Sequence, residues 1–133
     1  MSLVVQCHTR VPLGPGAGLS RQLDVLRDGV PAVEFEAVCE ALDCDVQSAT
    51  GGGGALLALT KQVLVGGAEH AEVDGNGWII RVDNRVVKCS GLYGQGGGEI
   101  DTPLFHALLE EYVAFLSDPQ KRPRALPLVS ARP

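Results

Sequence analysis

Aromatic residues are scarce: Phe, Trp and Tyr make up 5% of the 133 residues. A core must therefore rest on Val, Leu, Ile and Ala, with Trp78, Phe35, Phe105 and Phe115 as its few large pieces. No apolar run approaches the roughly 20 residues that a bilayer-spanning helix needs, so a membrane protein of that kind is not expected. The start, Met1 to Leu13, has no basic stretch followed by an apolar one. A secretory signal is thus not expected, and the cytoplasm is the expected compartment.

Several catalytic and binding signatures are missing as well. The loop Gly91-Leu92-Tyr93-Gly94-Gln95-Gly96-Gly97-Gly98 sits where phosphate loops sit, between a strand and a helix. But Glu99 stands where a third glycine would complete Gly-x-Gly-x-x-Gly, no Gly-Lys-Ser/Thr occurs, and Glu99 and Asp101 would repel a phosphate. There is no Gly-x-Ser-x-Gly. Asp74-Gly75-Asn76-Gly77-Trp78 imitates a calcium loop for three positions, then fails because Trp78 occupies a ligand position. Cys39-x4-Cys44 does not match a zinc knuckle, which needs a helix-free loop and a second matching pair. The one metal arrangement left open combines Cys7, Cys89 and a histidine, and no cofactor is expected. The four cysteines are expected to be reduced and buried. Cys89-Ser90-Gly91 ends a strand, where a thiol can be activated, and His106 and Glu110 stand at i, i+4 on a helix. An inert core thiol and a solvated pair are the simpler readings of both.

What is present reads as an α+β chain. Leu3 to His8 suits a strand, and Pro12 to Gly18 a loop. Ser20 is placed to cap a short helix carrying Leu23 and Leu26, with Gly29 at its C′ position. Pro31 suits the first turn of a second helix, in which Phe35, Val38 and Leu42 share one face and Glu34, Glu36 and Glu40 face water, although the alternation Val33-Glu34-Phe35-Glu36-Ala37 also fits a strand. Gly51 to Gly54 breaks the chain. The run Leu56 to Val65 reads as a strand, turned at Gly66-Gly67 into Ala68 to Val73. Asp74 to Gly77 then leads to Trp78 to Val82, which meets Arg85 to Cys89 across Asp83-Asn84. In that register Val82 faces Arg85, Ile80 faces Val87 and Trp78 faces Cys89, all on the core side. Ile79, Arg81, Val86 and Lys88 form the outer face, which Glu72 and His70 join if Val73 faces Trp78. Thr102 as cap and Pro103 at N1 open a helix whose Phe105, Leu108, Leu109, Tyr112 and Leu116 form one stripe. Asp118-Pro119 ends it. The expected fold is an antiparallel four- or five-stranded meander sheet packed against two or three helices. Residues 1–116 form a single domain, and 117–133 a basic, Pro-rich arm that is extended and lies outside the core.

Charge is the remaining guide to function. The net charge is −5. Lys121, Arg122, Arg124 and Arg132 against Asp118 give 117–133 a net +3, leaving −8 for 1–116. An acidic body disfavours nucleic acid and attracts a basic partner. The sequence therefore suggests a non-enzymatic protein-binding module, of the immunity, antitoxin or small-chaperone kind. The partner would be a basic protein, met by Glu34, Glu36 and Glu40 on the second helix with Glu110 and Glu111 on the last. The arm is expected to dock its cations on this body or on a second copy, which would make a homo-oligomer. The competing readings are a small-ligand or metal-binding domain, or a small enzyme with a dispersed site that uses Cys89 or His106.

Overall fold

The computed structural model describes residues 2–129. Eight strands and three α-helices follow one another in the order β1 (Leu3–Cys7), β2 (Leu23–Arg27), β3 (Val30–Pro31), α1 (Glu36–Asp45), α2 (Gly54–Leu64), β4 (His70–Asp74), β5 (Trp78–Asp83), β6 (Val86–Gly91), β7 (Gly97–Asp101), α3 (Thr102–Ser117) and β8 (Arg124–Pro127). A 3-10 turn, Val33–Phe35, precedes α1, and a π-helical turn, Ala49–Gly53, precedes α2. The strands form two antiparallel four-stranded sheets, β3-β2-β1-β8 and β4-β5-β6-β7. The class is α+β, and the second sheet is a simple meander packed against helices.

Helix α1 touches β2 of the first sheet and β5, β6 and β7 of the second, while α3 touches β1, β6 and β7. The two helices thus lie between the sheets. This explains why α3 buries one continuous stripe, Phe105, Leu108, Leu109, Tyr112, Phe115 and Leu116. It also explains why α1 leaves only a narrow stripe, Glu36, Glu40 and Cys44, fully exposed. The strands contribute Val5, Cys7, Leu23 and Val25 from the first sheet and Trp78, Ile80, Val82, Val87 and Cys89 from the second. Each large apolar side chain removed from water here contributes about 1.5–3 kcal/mol.

Several expectations are corrected. Leu56–Val65 is not a strand, and Gly66-Gly67 turns no hairpin: Gly54–Leu64 is helix α2. Leu and Ala dominate the run and are good helix formers, and Leu56, Thr60 and Val63 are its buried, helically spaced face. The meander consequently starts at β4 and gains β7 from the glycine-rich segment before α3. At the start of α2, a Cβ on Gly53 would meet the Ser48 carbonyl oxygen at 2.6 Å and Val113 at 3.1 Å. Glycine there permits the close approach of α2 to α3.

Ser20 caps no helix, because residues 23–27 are strand β2. Arg27 pairs with Val30 across Asp28-Gly29, whose φ of 54° and 80° make the left-handed two-residue turn that a hairpin favours. Pro31 belongs to edge strand β3 and not to a helix.

In the β5–β6 hairpin Val82 faces Val87, Ile80 faces Cys89 and Trp78 faces Gly91. The turn residues are Asn84 and Arg85, one place beyond the expected pair. The Asp83 carboxylate fixes the turn by accepting from the N–H groups of Arg85 and Val86, both at 2.8 Å. The partner shift is two residues, so inner and outer faces are unchanged. Val73 likewise faces Ile80, and Glu72 stands directly opposite Arg81, 3.6 Å from its guanidinium. Thr102 is the first residue inside α3, not its cap. Its hydroxyl donates to the Asp83 carbonyl at 2.7 Å, tying the helix to the hairpin.

Over Arg124–Pro127 the C-terminal segment is the fourth strand of the first sheet, paired with β1, and Leu128 behind it is buried. Arg124 Nη2 lies 3.0 Å from Glu111. Residues 130–133 lie outside the described residues.

Candidate functional site

A cavity of about 380 Å³ opens between the start of α1 and the start of β7. Val33, Glu34, Glu36, Ala37 and Glu40 form one wall. Trp78, Gln95, Gly97, Gly98 and Glu99 form the other. Two local features set its width. A Cβ on Gly98 would lie 3.1 Å from the Ala37 methyl, so glycine lets β7 run close beneath α1. Gln95 is held in place, donating to the Gly77 carbonyl at 3.0 Å and accepting from Tyr93 N–H at 2.6 Å.

The cavity is acidic. Glu34, Glu36 and Glu40 come from one chain segment and Glu99 from another. Glu34 is partnered: its carboxylate binds the Arg27 guanidinium, with Nη1 3.0 Å from Oε1. That side-chain hydrogen bond holds its carboxyl at about 2, well below the usual range. Glu36, Glu40 and Glu99 form no ion pair among the described residues. Lys88 is the cross-strand neighbour of Glu99 in an outer-face row of Glu72, Arg81, Lys88 and Glu99.

Of the five glutamates singled out in the sequence, the fold brings Glu34, Glu36 and Glu40 to this cavity. Glu110 and Glu111 line no part of it. Glu110 lies 3.4 Å from His106 Nδ1, and Glu111 pairs with Arg124. Glu99, Trp78 and the Gly97-Gly98 backbone complete the site and were not among the sequence candidates. The signal for them is faint, since only the helix-to-strand contact brings them opposite Glu36 and Glu40.

The thiols are poor candidates for chemistry. Burial pushes Cys7, Cys39 and Cys89 each up to about 12, where a thiolate is inaccessible at neutral pH. Cys44 departs from the expected burial of all four and is exposed. All four are free. No group of three metal-ligating side chains occurs among the described residues, and Cys7 and Cys89 do not converge with a histidine. No helix among them is long and apolar enough to cross a membrane. No protein-family model, characterised protein or solved structure matches the chain.

Proposed function

We propose that the protein is a binding module that receives a basic side chain of another protein in the cleft between α1 and β7. A role of the immunity, antitoxin or chaperone type, exercised in the reducing cytoplasm, fits four free thiols and an acidic body. One observation carries the reading. Glu36 and Glu40 on one segment and Glu99 on another, some sixty positions apart in the chain, all line one cavity, and none of the three forms an ion pair among the described residues. Carboxylates held together repel one another, and an incoming ammonium or guanidinium relieves that repulsion while adding charge-assisted hydrogen bonds.

The test uses acetyl-tetralysine-amide as the basic probe and the emission of Trp78, the single tryptophan of the chain, as the reporter. Saturable binding is expected at low salt. It should weaken steeply as ionic strength passes about 0.15 M, where the Debye length is about 8 Å. The double substitution Glu36→Gln/Glu40→Gln should remove it. Equal binding by that variant, or indifference to salt, defeats the proposal. A free cationic small molecule is the second reading, favoured by a cavity volume within the range of roughly 300–1,000 Å³ that ligand pockets occupy.

A further inference from the structure

We propose that the cleft takes its basic partner as an extended segment, which adds as a fifth strand to the free edge of β7. The inference rests on the cationic reading above and adds the backbone to it. Strand β7 closes the order β4-β5-β6-β7 and pairs with β6 alone. The direction of its hydrogen-bonding groups follows from two bonds at its ends. Gly91 N–H donates to the Gly96 carbonyl at 2.8 Å, and Thr102 N–H donates to the Arg85 carbonyl at 2.9 Å. Both pairs belong to the β6–β7 register, and antiparallel ladders alternate between bonded and non-bonded pairs. Gly98 and Ile100 therefore bond to Cys89 and Val87, while the N–H and C=O groups of Gly97 and Glu99 point away from the sheet. Gly97 and Glu99 are exposed, and both line the cavity. Among the described residues, no backbone bond outside the sheet engages either of them.

An open strand edge is a template for another chain, and sheets normally blunt it with proline, lysine or a covering element. The other edges here follow that rule. β3 ends in Pro31, β8 ends in Pro127, and β4 has α2 beside it; β7 has α1 and the Val33–Phe35 turn beside it, across the cavity. The β7 sequence, Gly97-Gly98-Glu99-Ile100-Asp101, has neither proline nor lysine, and Gly97 places no side chain over its exposed backbone. An added strand presents alternate side chains to opposite faces. On the α1 side they would meet Glu36 and Glu40, and on the outer side Glu99. The occupant that fits is a short extended stretch of a partner protein with lysine or arginine at alternate positions.

The probe is acetyl-Lys-Val-Lys-Val-Lys-Val-amide, titrated into the full chain while Trp78 emission and the amide resonances of Gly97 and Glu99 are followed. Two control peptides carry N-methyl groups, one on the three lysine nitrogens and one on the three valine nitrogens. Charge and sequence are unchanged, but only alternate N–H groups of an added strand face β7. One of the two methylated peptides should lose affinity about tenfold or more, and the Gly97 and Glu99 amides should shift with the unmodified peptide. If both methylated peptides bind as tightly as the parent while Glu36→Gln/Glu40→Gln abolishes binding, strand addition is wrong and the cationic cleft stands. If the glutamine variant binds the parent peptide unchanged, both readings fail. Absence of any binding by the parent peptide overturns the strand proposal as well.

Discussion

The loop between β1 and β2 is held to the body through one buried carboxylate, and replacing its partner should cost measurable stability. Asp43 on α1 is 5% exposed. Its Oδ2 accepts from Arg10 Nη1 at 2.8 Å, its Oδ1 from Gln22 N–H at 3.1 Å, and its carbonyl from Arg10 Nη2 at 3.0 Å. Arg10→Met keeps the aliphatic stem and removes the guanidinium, leaving the carboxylate with the single Gln22 donor. Breaking a fully buried pair costs about 3–5 kcal/mol. The Arg10 side chain is 35% exposed, so water reaches the vacated side. The smaller range for a hydrogen bond to a charged group applies, about 1.5–3 kcal/mol. With an unfolding entropy of about 2.1 cal/mol/K per residue, Tm should fall by about 5–11 °C. Thermal unfolding followed by circular dichroism measures this, with urea titration as a check on two-state behaviour. The same substitution made in an Asp43→Asn background should cost less than half as much. Equal cost in both backgrounds would show that Arg10 acts through its stem, and a loss below about 0.5 kcal/mol would refute the ion pair as the latch.

Thr102→Val removes the hydroxyl that donates to the Asp83 carbonyl and keeps the shape of the side chain. It should cost about 1 kcal/mol and speed amide exchange in the β5–β6 hairpin, and unchanged exchange would detach α3 from that turn. In native protein one thiol, Cys44, should react promptly with a disulfide reagent, and Cys7, Cys39 and Cys89 only after unfolding. Burial raises those three to about 12 in the folded chain, so the unfolded chain sheds their protons first. Stability is therefore fully present below the ordinary thiol range near 9 and should decline as pH climbs from there toward 12. A flat Tm across that window would contradict their burial.

The legible parts of the fold are those in which one local period dominates. Phe105, Leu108, Leu109 and Tyr112 admit only a helix, and the alternation from Trp78 to Val82 only a strand. A register error of two residues leaves faces intact, which is why the inner and outer sides of β5 and β6 could be read even though their turn lies one place further on. Leu56 to Val65 was ambiguous because leucine and alanine suit a buried helix as well as a strand. The helical stripe there runs through Thr60, a polar residue whose hydroxyl donates to the Leu56 carbonyl within the helix. Asp28-Gly29 is a hairpin signal in its own right, yet Gly29 equally suits a helix C′ position. Only the pairing of β2 with β1, sixteen or more residues apart, decides between them. The cleft was half legible. Glu36 and Glu40 fall on one exposed helical face by spacing alone, but Glu99 and the open backbone of Gly97 belong to a strand with little intrinsic strand preference.

The distribution of partners among the glutamates argues that the acidity of the cleft is more than a solvated surface. Glu34 is neutralised by Arg27, Glu111 by Arg124 and Glu72 by Arg81, and Glu110 lies beside His106. Glu36, in the first turn of α1, is favoured there by the helix dipole. Glu40 has no such compensation. It stands four residues after Glu36 on the same face, an arrangement that costs a helix about 0.2–0.5 kcal/mol. Moving either glutamate off this stripe would relieve that repulsion without touching the core, since Val38, Cys39, Ala41 and Leu42 do the packing. The fold thus tolerates a small local cost in α1 where Glu36 and Glu40 stand beside an unpaired strand edge, while Glu34, Glu72 and Glu111 pair with arginines. A bound cation would remove that cost, and an extended chain carrying it would satisfy the edge in the same step.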